Sequence, residues 1–180
     1  MLRFLLFLRL VLLLAALMFG TWFFSSIALP QGILRPYFSH LFSDRVGELT
    51  FIKVLLANLF PFIGIQFMNL FRVGKHAGGL YVLPIFWIIY GLLLGTNSFV
   101  FTDRPVAFSI TVLWTRTGFM ELLAYTTGYE ATKGWTVWEQ EGLWKVRRSI
   151  EKRWRLQVVD GVYWAAGLLL LIIAVAREVQ

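Results

Sequence analysis

The sequence predicts an all-α integral membrane protein with about five transmembrane helices and an amphipathic helix on the cytoplasmic interface, forming one membrane domain over residues 1–180. Three observations carry this. Of the 180 residues, 58% are hydrophobic and 15% charged, at a mean hydropathy of +0.70, whereas water-soluble domains carry roughly a quarter charged residues. Five stretches approach the ~20 mostly apolar residues that a helix needs to cross the hydrocarbon core. Between the last two lies a tryptophan-rich, basic segment of the kind that sits at headgroup level. Disorder, fibres and ordinary water-soluble enzymes are excluded by the same composition.

The first span is placed at Leu10–Leu29, an uncharged run behind Arg3 and Arg9. Its basic start and the small-residue triplet Ser26-Ile27-Ala28 resemble a signal peptide. The apolar run exceeds a signal core of roughly 7–15 residues, so a retained span is expected. The following connection is too polar to cross, and Tyr37, Phe38, Leu41 and Phe42 suit a short amphipathic turn on the outer face. Phe51–Phe71 is the second span. It contains Lys53, Asn58, Pro61, Gln66 and Asn69, and polar groups at that depth must be met by other helices or water. The third span, Ala77–Asn97, carries Pro84 and the pair Gly91 and Gly95, small residues four apart that admit a neighbouring backbone. Packing inside the chain and a dimer contact are both open readings of that pair. Gly74 to Gly79 marks a tight turn between the second and third spans.

The fourth span, Val106–Thr127, holds Arg116 and Glu121, and a charge at the bilayer centre costs at least ~2.5–3.5 kcal/mol. Five residues apart, the two lie about 140° around the helix from one another, so partners must come from elsewhere. Asn58 and Asn69 fall on nearly one face of the second span, with Gln66 beside them. A polar seam of Asn58, Gln66, Asn69, Arg116 and Glu121 between the second and fourth spans follows. It reads either as interhelical glue or as a polar path for an ion, proton or small solute.

The segment 130–155 carries Trp135, Trp138, Trp144 and Trp154. Val146, Ile150 and Trp154 recur every four residues, the pattern of an interfacial amphipathic helix. Lys145, Arg147, Arg148, Lys152, Arg153 and Arg155 are its candidate contacts with anionic lipid, with docking of a cytoplasmic partner as the other reading. The closing span is Leu156–Ala176, which opens with Asp160. Five spans place these basic residues on one side with Arg3, Arg9, Arg72, Lys75 and Lys133, against Arg35, Arg45, Lys53, Arg104 and Arg177 on the other. The positive-inside rule then predicts a multi-pass cell-membrane protein with a cytoplasmic amino terminus.

Little in the chain points to chemistry. With no cysteine there is no disulfide framework, thiolate nucleophile or iron–sulfur cluster. His40 and His76, the two histidines, do not make the usual zinc site. No GxSxG elbow or P-loop occurs, and no cofactor is expected. The net charge of +7, a nucleic-acid signal in a soluble domain, reads here as orientation and lipid contact.

The run Gly118-Phe119-Met120-Glu121-Leu122-Leu123-Ala124-Tyr125-Thr126-Thr127-Gly128 resembles the glycine, glutamate-leucine, alanine and later glycine pattern of the stage II sporulation protein M family. Gly91 to Asn97, Phe51 with Leu55 and Asn58, and Ala165 through Glu178 are similar to further helices of that family. The chain departs from the pattern at Ala57, where the family often has a second asparagine, and at Leu123, where a proline is common. The resemblance implies a noncatalytic membrane partner of other envelope proteins, with Glu121 as a key residue. The expected function is therefore a nonenzymatic membrane scaffold, as a homo-oligomer or with other membrane proteins, in contact with membrane lipid and not nucleic acid. A channel or transporter component built on Asn58, Arg116 and Glu121 is the alternative, and a lipid-modifying enzyme using Glu121 as base a weaker third.

Overall fold

The computed structural model of the chain describes residues 2–38, 51–98, 118–141, 145–148 and 157–178. It is mostly helical: α1 (Leu2–Ala28), α2 (Arg35–Phe38), α3 (Phe51–Met68), α4 (Gly79–Gly95), α5 (Gly118–Thr132) and α6 (Val158–Glu178). Three of these, α1, α3 and α6, are long and apolar enough to cross a membrane. At 17 residues, α4 is apolar but shorter. Arg116, His40 and residues 106–117 of the expected fourth span lie outside the described residues, as do Leu41 and Phe42.

The expectation of an all-α chain needs correction. Four short strands, β1 (Phe71–Val73), β2 (His76–Ala77), β3 (Trp138–Glu141) and β4 (Lys145–Arg148), form one sheet in the order β2-β1-β3-β4. The first two make a hairpin between α3 and α4, with Gly74 at φ +60° supplying the left-handed turn residue such hairpins favour. Strand β3 adds parallel to β1, pairing Phe71 with Trp138 and Arg72 with Glu139, and β4 folds back antiparallel on β3.

The amphipathic helix expected over 130–155 is thereby overturned for its described part. Residues Glu130–Thr132 finish α5, and Lys145, Arg147 and Arg148 sit on a strand. Gly134 and Gly142 each weaken a helix by about 1 kcal/mol relative to alanine. Between them, Trp135, Thr136, Val137 and Trp138 are strand formers; Val137 donates its backbone N–H to the Leu70 carbonyl just past the end of α3, and Trp138 pairs with Phe71 on the edge of β1. Val146 recurs with Ile150 and Trp154 at helical spacing, but Ile150, Lys152, Arg153, Trp154 and Arg155 lie outside the described residues.

The helices pack in two close pairs, α1 on α4 and α5 on α6, joined by α3. Glycine makes the first pair possible. A Cβ on Gly91 would lie 2.6 Å from the Met18 carbonyl oxygen, and one on Gly95 would lie 2.5 Å from that of Trp22. The Gly91 and Gly95 pair therefore serves packing within the chain. In the second pair, a Cβ on Gly167 would lie 3.3 Å from the Gly128 nitrogen. Met18, Phe62, Ile65, Leu83, Trp87, Leu122 and Leu171 fill the core between the pairs. Phe60 (83% exposed), Ile52 and Phe24 face outward, as in a helix bundle surrounded by lipid.

The end of α4 shows why an asparagine follows it. Ser98 donates its backbone N–H to the Leu93 carbonyl (2.9 Å) and Asn97 to that of Leu94 (3.2 Å), the paired bonds of a Schellman cap. The left-handed residue in that cap is Asn97, at φ +48°. Asparagine tolerates that region and β-branched residues do not. Asn97→Val is expected to lower stability in mild detergent by about 1–2 kcal/mol, read as a drop in thermal midpoint, with Asn97→Gly near wild type.

Candidate functional site

Helices α3 and α5 meet along a seam with two polar rungs. At the upper rung Glu121, 3% exposed, accepts a hydrogen bond from Asn58 Nδ2 at 2.7 Å and another from the Tyr90 hydroxyl on α4. The Tyr125 hydroxyl, one helical turn beyond Glu121, donates to Asn58 Oδ1 at 3.1 Å. Asn58 thus donates to the carboxylate while accepting from the tyrosine, and three helices converge on one carboxylate.

The lower rung lies eleven residues further along both helices. Asn69, fully buried, donates from Nδ2 to the Thr132 hydroxyl (2.8 Å) and the Tyr129 carbonyl (3.1 Å). Its Oδ1 accepts the Gly79 backbone N–H at 3.1 Å, which occupies one of the orphan donors at the start of α4. The same separation on both helices, 58 to 69 and 121 to 132, keeps α3 and α5 parallel and in register over about 16 Å of rise. Gln66, between the rungs, accepts the indole N–H of Trp164 on α6 (3.0 Å) and donates to its own helix at Phe62 (3.3 Å).

Level with the lower rung, at the helix ends nearest the sheet, lies an ionic cluster with buried carboxylates and cations about a third exposed. Glu130 is 1% exposed and pairs with Arg3 Nε at 3.1 Å and with Lys133 Nζ at 2.6 Å. A second guanidinium nitrogen of Arg3 meets Asp160 at 2.7 Å and donates to the Glu130 carbonyl at 2.8 Å. The Arg3 guanidinium also lies 5.3 Å from the centre of the Tyr163 ring, within cation–π range. The other Asp160 oxygen accepts the Gln157 backbone N–H (3.0 Å), half of a capping box at the start of α6. Two cations meet two carboxylates, tying the start of α1 to the end of α5 and the start of α6.

Of the residues singled out from sequence, Asn58 and Glu121 are brought together, Asn69 and Gln66 bond to α5 and α6 respectively, and Arg116 lies outside the described residues. Lys145, Arg147 and Arg148 are exposed on β4, whereas Lys152, Arg153 and Arg155 lie outside the described residues. Sequence reasoning missed Tyr90, Tyr125 and the Arg3, Glu130, Lys133 and Asp160 cluster. Tyr125 had a local signal, four residues from Glu121 on one helix face, as had the i,i+3 pair of Glu130 and Lys133. Tyr90 and Arg3 had none.

The arrangement consumes its own polar groups. Along the outer side of α1, α5 and α6, a groove of about 440 Å³ is lined by Phe4, Phe7, Leu123, Val162, Tyr163 and neighbours, almost wholly apolar. No group of three or more metal-ligating side chains occurs among the described residues. No family model, curated protein or solved structure matches the chain.

Proposed function

We propose that this chain is a nonenzymatic integral membrane scaffold, an assembly component of an envelope complex that resembles the stage II sporulation protein M family. The observation that carries the reading is the use made of the polar side chains inside the bundle. Asn58, Asn69 and Glu121 bond to neighbouring helices, which is how polar groups act as interhelical glue. A helix bundle so braced holds its outer surfaces in fixed relation, as a scaffold requires. The chain sits in the cell membrane with five spans, its amino terminus in the cytoplasm and its sheet at the cytoplasmic interface, in contact with anionic lipid.

Two measurements test this. In mild detergent, the native mass is expected to exceed that of one 20.8 kDa chain, as an oligomer or with other membrane proteins copurifying; a lone monomer would remove the scaffold. Reporter fusions after Val73 and after Thr102 are expected to give cytoplasmic and external signals respectively, since lysine and arginine accumulate on the cytoplasmic side. The same signal at both positions would remove the third span.

A further inference from the structure

The sheet has two chemically different faces, and one of them continues the lipid-facing surface of the bundle. Residues opposite one another in register share a face, and successive residues alternate. One face therefore carries Arg72, Ala77, Glu139 and Arg147. Ala77 belongs to the core, and Arg72 is ion-paired with Glu139 at 3.3 Å, so this face turns toward the bundle and its cations stand beside a carboxylate. The other carries Phe71, Val73, His76, Trp138, Gln140, Val146 and Arg148. Val73, Trp138 and Val146 are exposed, Val146 by 59%, and Arg148 is exposed beside them.

We infer that this second face rests on the bilayer surface, with Trp138 and Val146 at headgroup depth and Arg148 on the phosphate of an anionic phospholipid in the same leaflet. The inference rests on the membrane reading above and names the contact within it. Continuity argues for lipid as the occupant. Phe67, exposed on α3, stacks edge-on against Phe71 with ring centres 5.9 Å apart, and Phe71 pairs in register with Trp138. The apolar side of α3 thus runs without a break onto the sheet. Tyr81, exposed on the first turn of α4, donates its hydroxyl to the Val73 carbonyl at 3.2 Å, adding an aromatic of the kind that marks the interface. Charge argues for the phosphate: among the described residues this face carries Arg148 and no carboxylate, the glutamate at 139 lying on the other side. Lys145 and Arg147, singled out from sequence with Arg148, belong to the bundle-side face.

Strand alternation makes this testable in the full chain, which contains no cysteine. Single-cysteine variants Lys145→Cys, Val146→Cys, Arg147→Cys and Phe60→Cys are spin-labelled and reconstituted in vesicles of phosphatidylcholine with or without phosphatidylglycerol. Collisions with oxygen, which partitions into lipid, and with a water-soluble nickel chelate are then measured. The label at 146 is expected to meet oxygen and exclude nickel severalfold more strongly than labels at 145 and 147, and more so with phosphatidylglycerol present. Adding Arg148→Gln is expected to erase that dependence on lipid charge. Nickel access at 146 equal to its neighbours overturns the inference, as does exclusion of both probes at 146, which would mean that protein covers the face. The label at Phe60 separates the two readings: if it meets oxygen while 146 meets nickel, only the lipid contact of the sheet fails, and if it too meets nickel, the membrane reading falls with it.

Discussion

Arg3→Met is expected to lower the stability of the chain in mild detergent by about 1–2 kcal/mol, less than the ~3–5 kcal/mol of a fully buried pair because the Arg3 side chain is 29% exposed. The substitution leaves Glu130, 1% exposed, and Asp160, 8% exposed, without the guanidinium that bridges them. Lys133 still reaches Glu130 at 2.6 Å and the Gln157 N–H still reaches Asp160, which keeps the loss from being larger. Methionine retains much of the apolar stem beside Tyr163, so the change reports charge and hydrogen bonding more than volume. Adding Asp160→Asn to Arg3→Met is expected to recover part of the loss. A neutral amide removes the buried charge and still accepts the bond that caps α6. Arg3→Lys is expected to fall between, because an ammonium is a point donor and does not span Glu130 and Asp160 as the planar fork does. Unfolding followed by near-ultraviolet circular dichroism, together with proteolysis of the amino-terminal segment, checks this. An Arg3→Met protein as stable as wild type would show that the first turn of α1 is not held by these carboxylates.

Glu121→Leu is expected to lower the thermal midpoint by an amount equivalent to about 2 kcal/mol, through two donors stranded in a buried site. Asn58 Nδ2 and the Tyr90 hydroxyl both donate to this carboxylate, and leucine offers neither an acceptor. Each bond in a membrane interior is worth about 0.6 kcal/mol on average and up to about 1.7; an unsatisfied buried donor costs about 1–3 kcal/mol. Glu121→Gln is expected to be tolerated for a specific reason. Its carbonyl oxygen accepts from Asn58, its amide donates, and the Tyr90 hydroxyl rotates from donor to acceptor. The same pair of variants separates glue from conduction. If the seam carried a proton or ion, Glu121→Gln would abolish flux in proteoliposomes while stability and assembly stayed near wild type. Normal folding and assembly with leucine at 121 would mean that the glutamate is exposed to water or headgroups, and the buried seam would have to be abandoned.

The apolar helices were legible in the sequence because crossing a bilayer is close to a local property. Each span must satisfy its own backbone and sum its own transfer free energies. The expected spans 51–71, 77–97 and 156–176 accordingly lie within three residues of α3, α4 and α6 at either end. The polarity of Asn58, Asn69 and Glu121 was equally visible, since a polar residue in an apolar run stands out whatever it touches.

Their partners were decided only by tertiary structure. Asn58 meets Glu121 across 63 positions and Arg3 meets Glu130 across 127, and no periodicity within one segment encodes which helix lies beside which. The start of α1 shows the same. The apolar span reads as Leu10–Leu29, behind Arg3 and Arg9, whereas the helix runs from Leu2 to Ala28 and carries Arg3 to the carboxylates of Glu130 and Asp160, which no feature of the segment itself announces. The basic segment before the last span shows the limit most clearly. Its four-residue repeat satisfies a helix locally, but Trp138 and Glu139 pair with β1, which lies more than sixty positions earlier, and β4 then pairs with β3. A strand's hydrogen bonds are made to another segment, so whether such a stretch coils or extends depends on whether the fold brings an open edge to it.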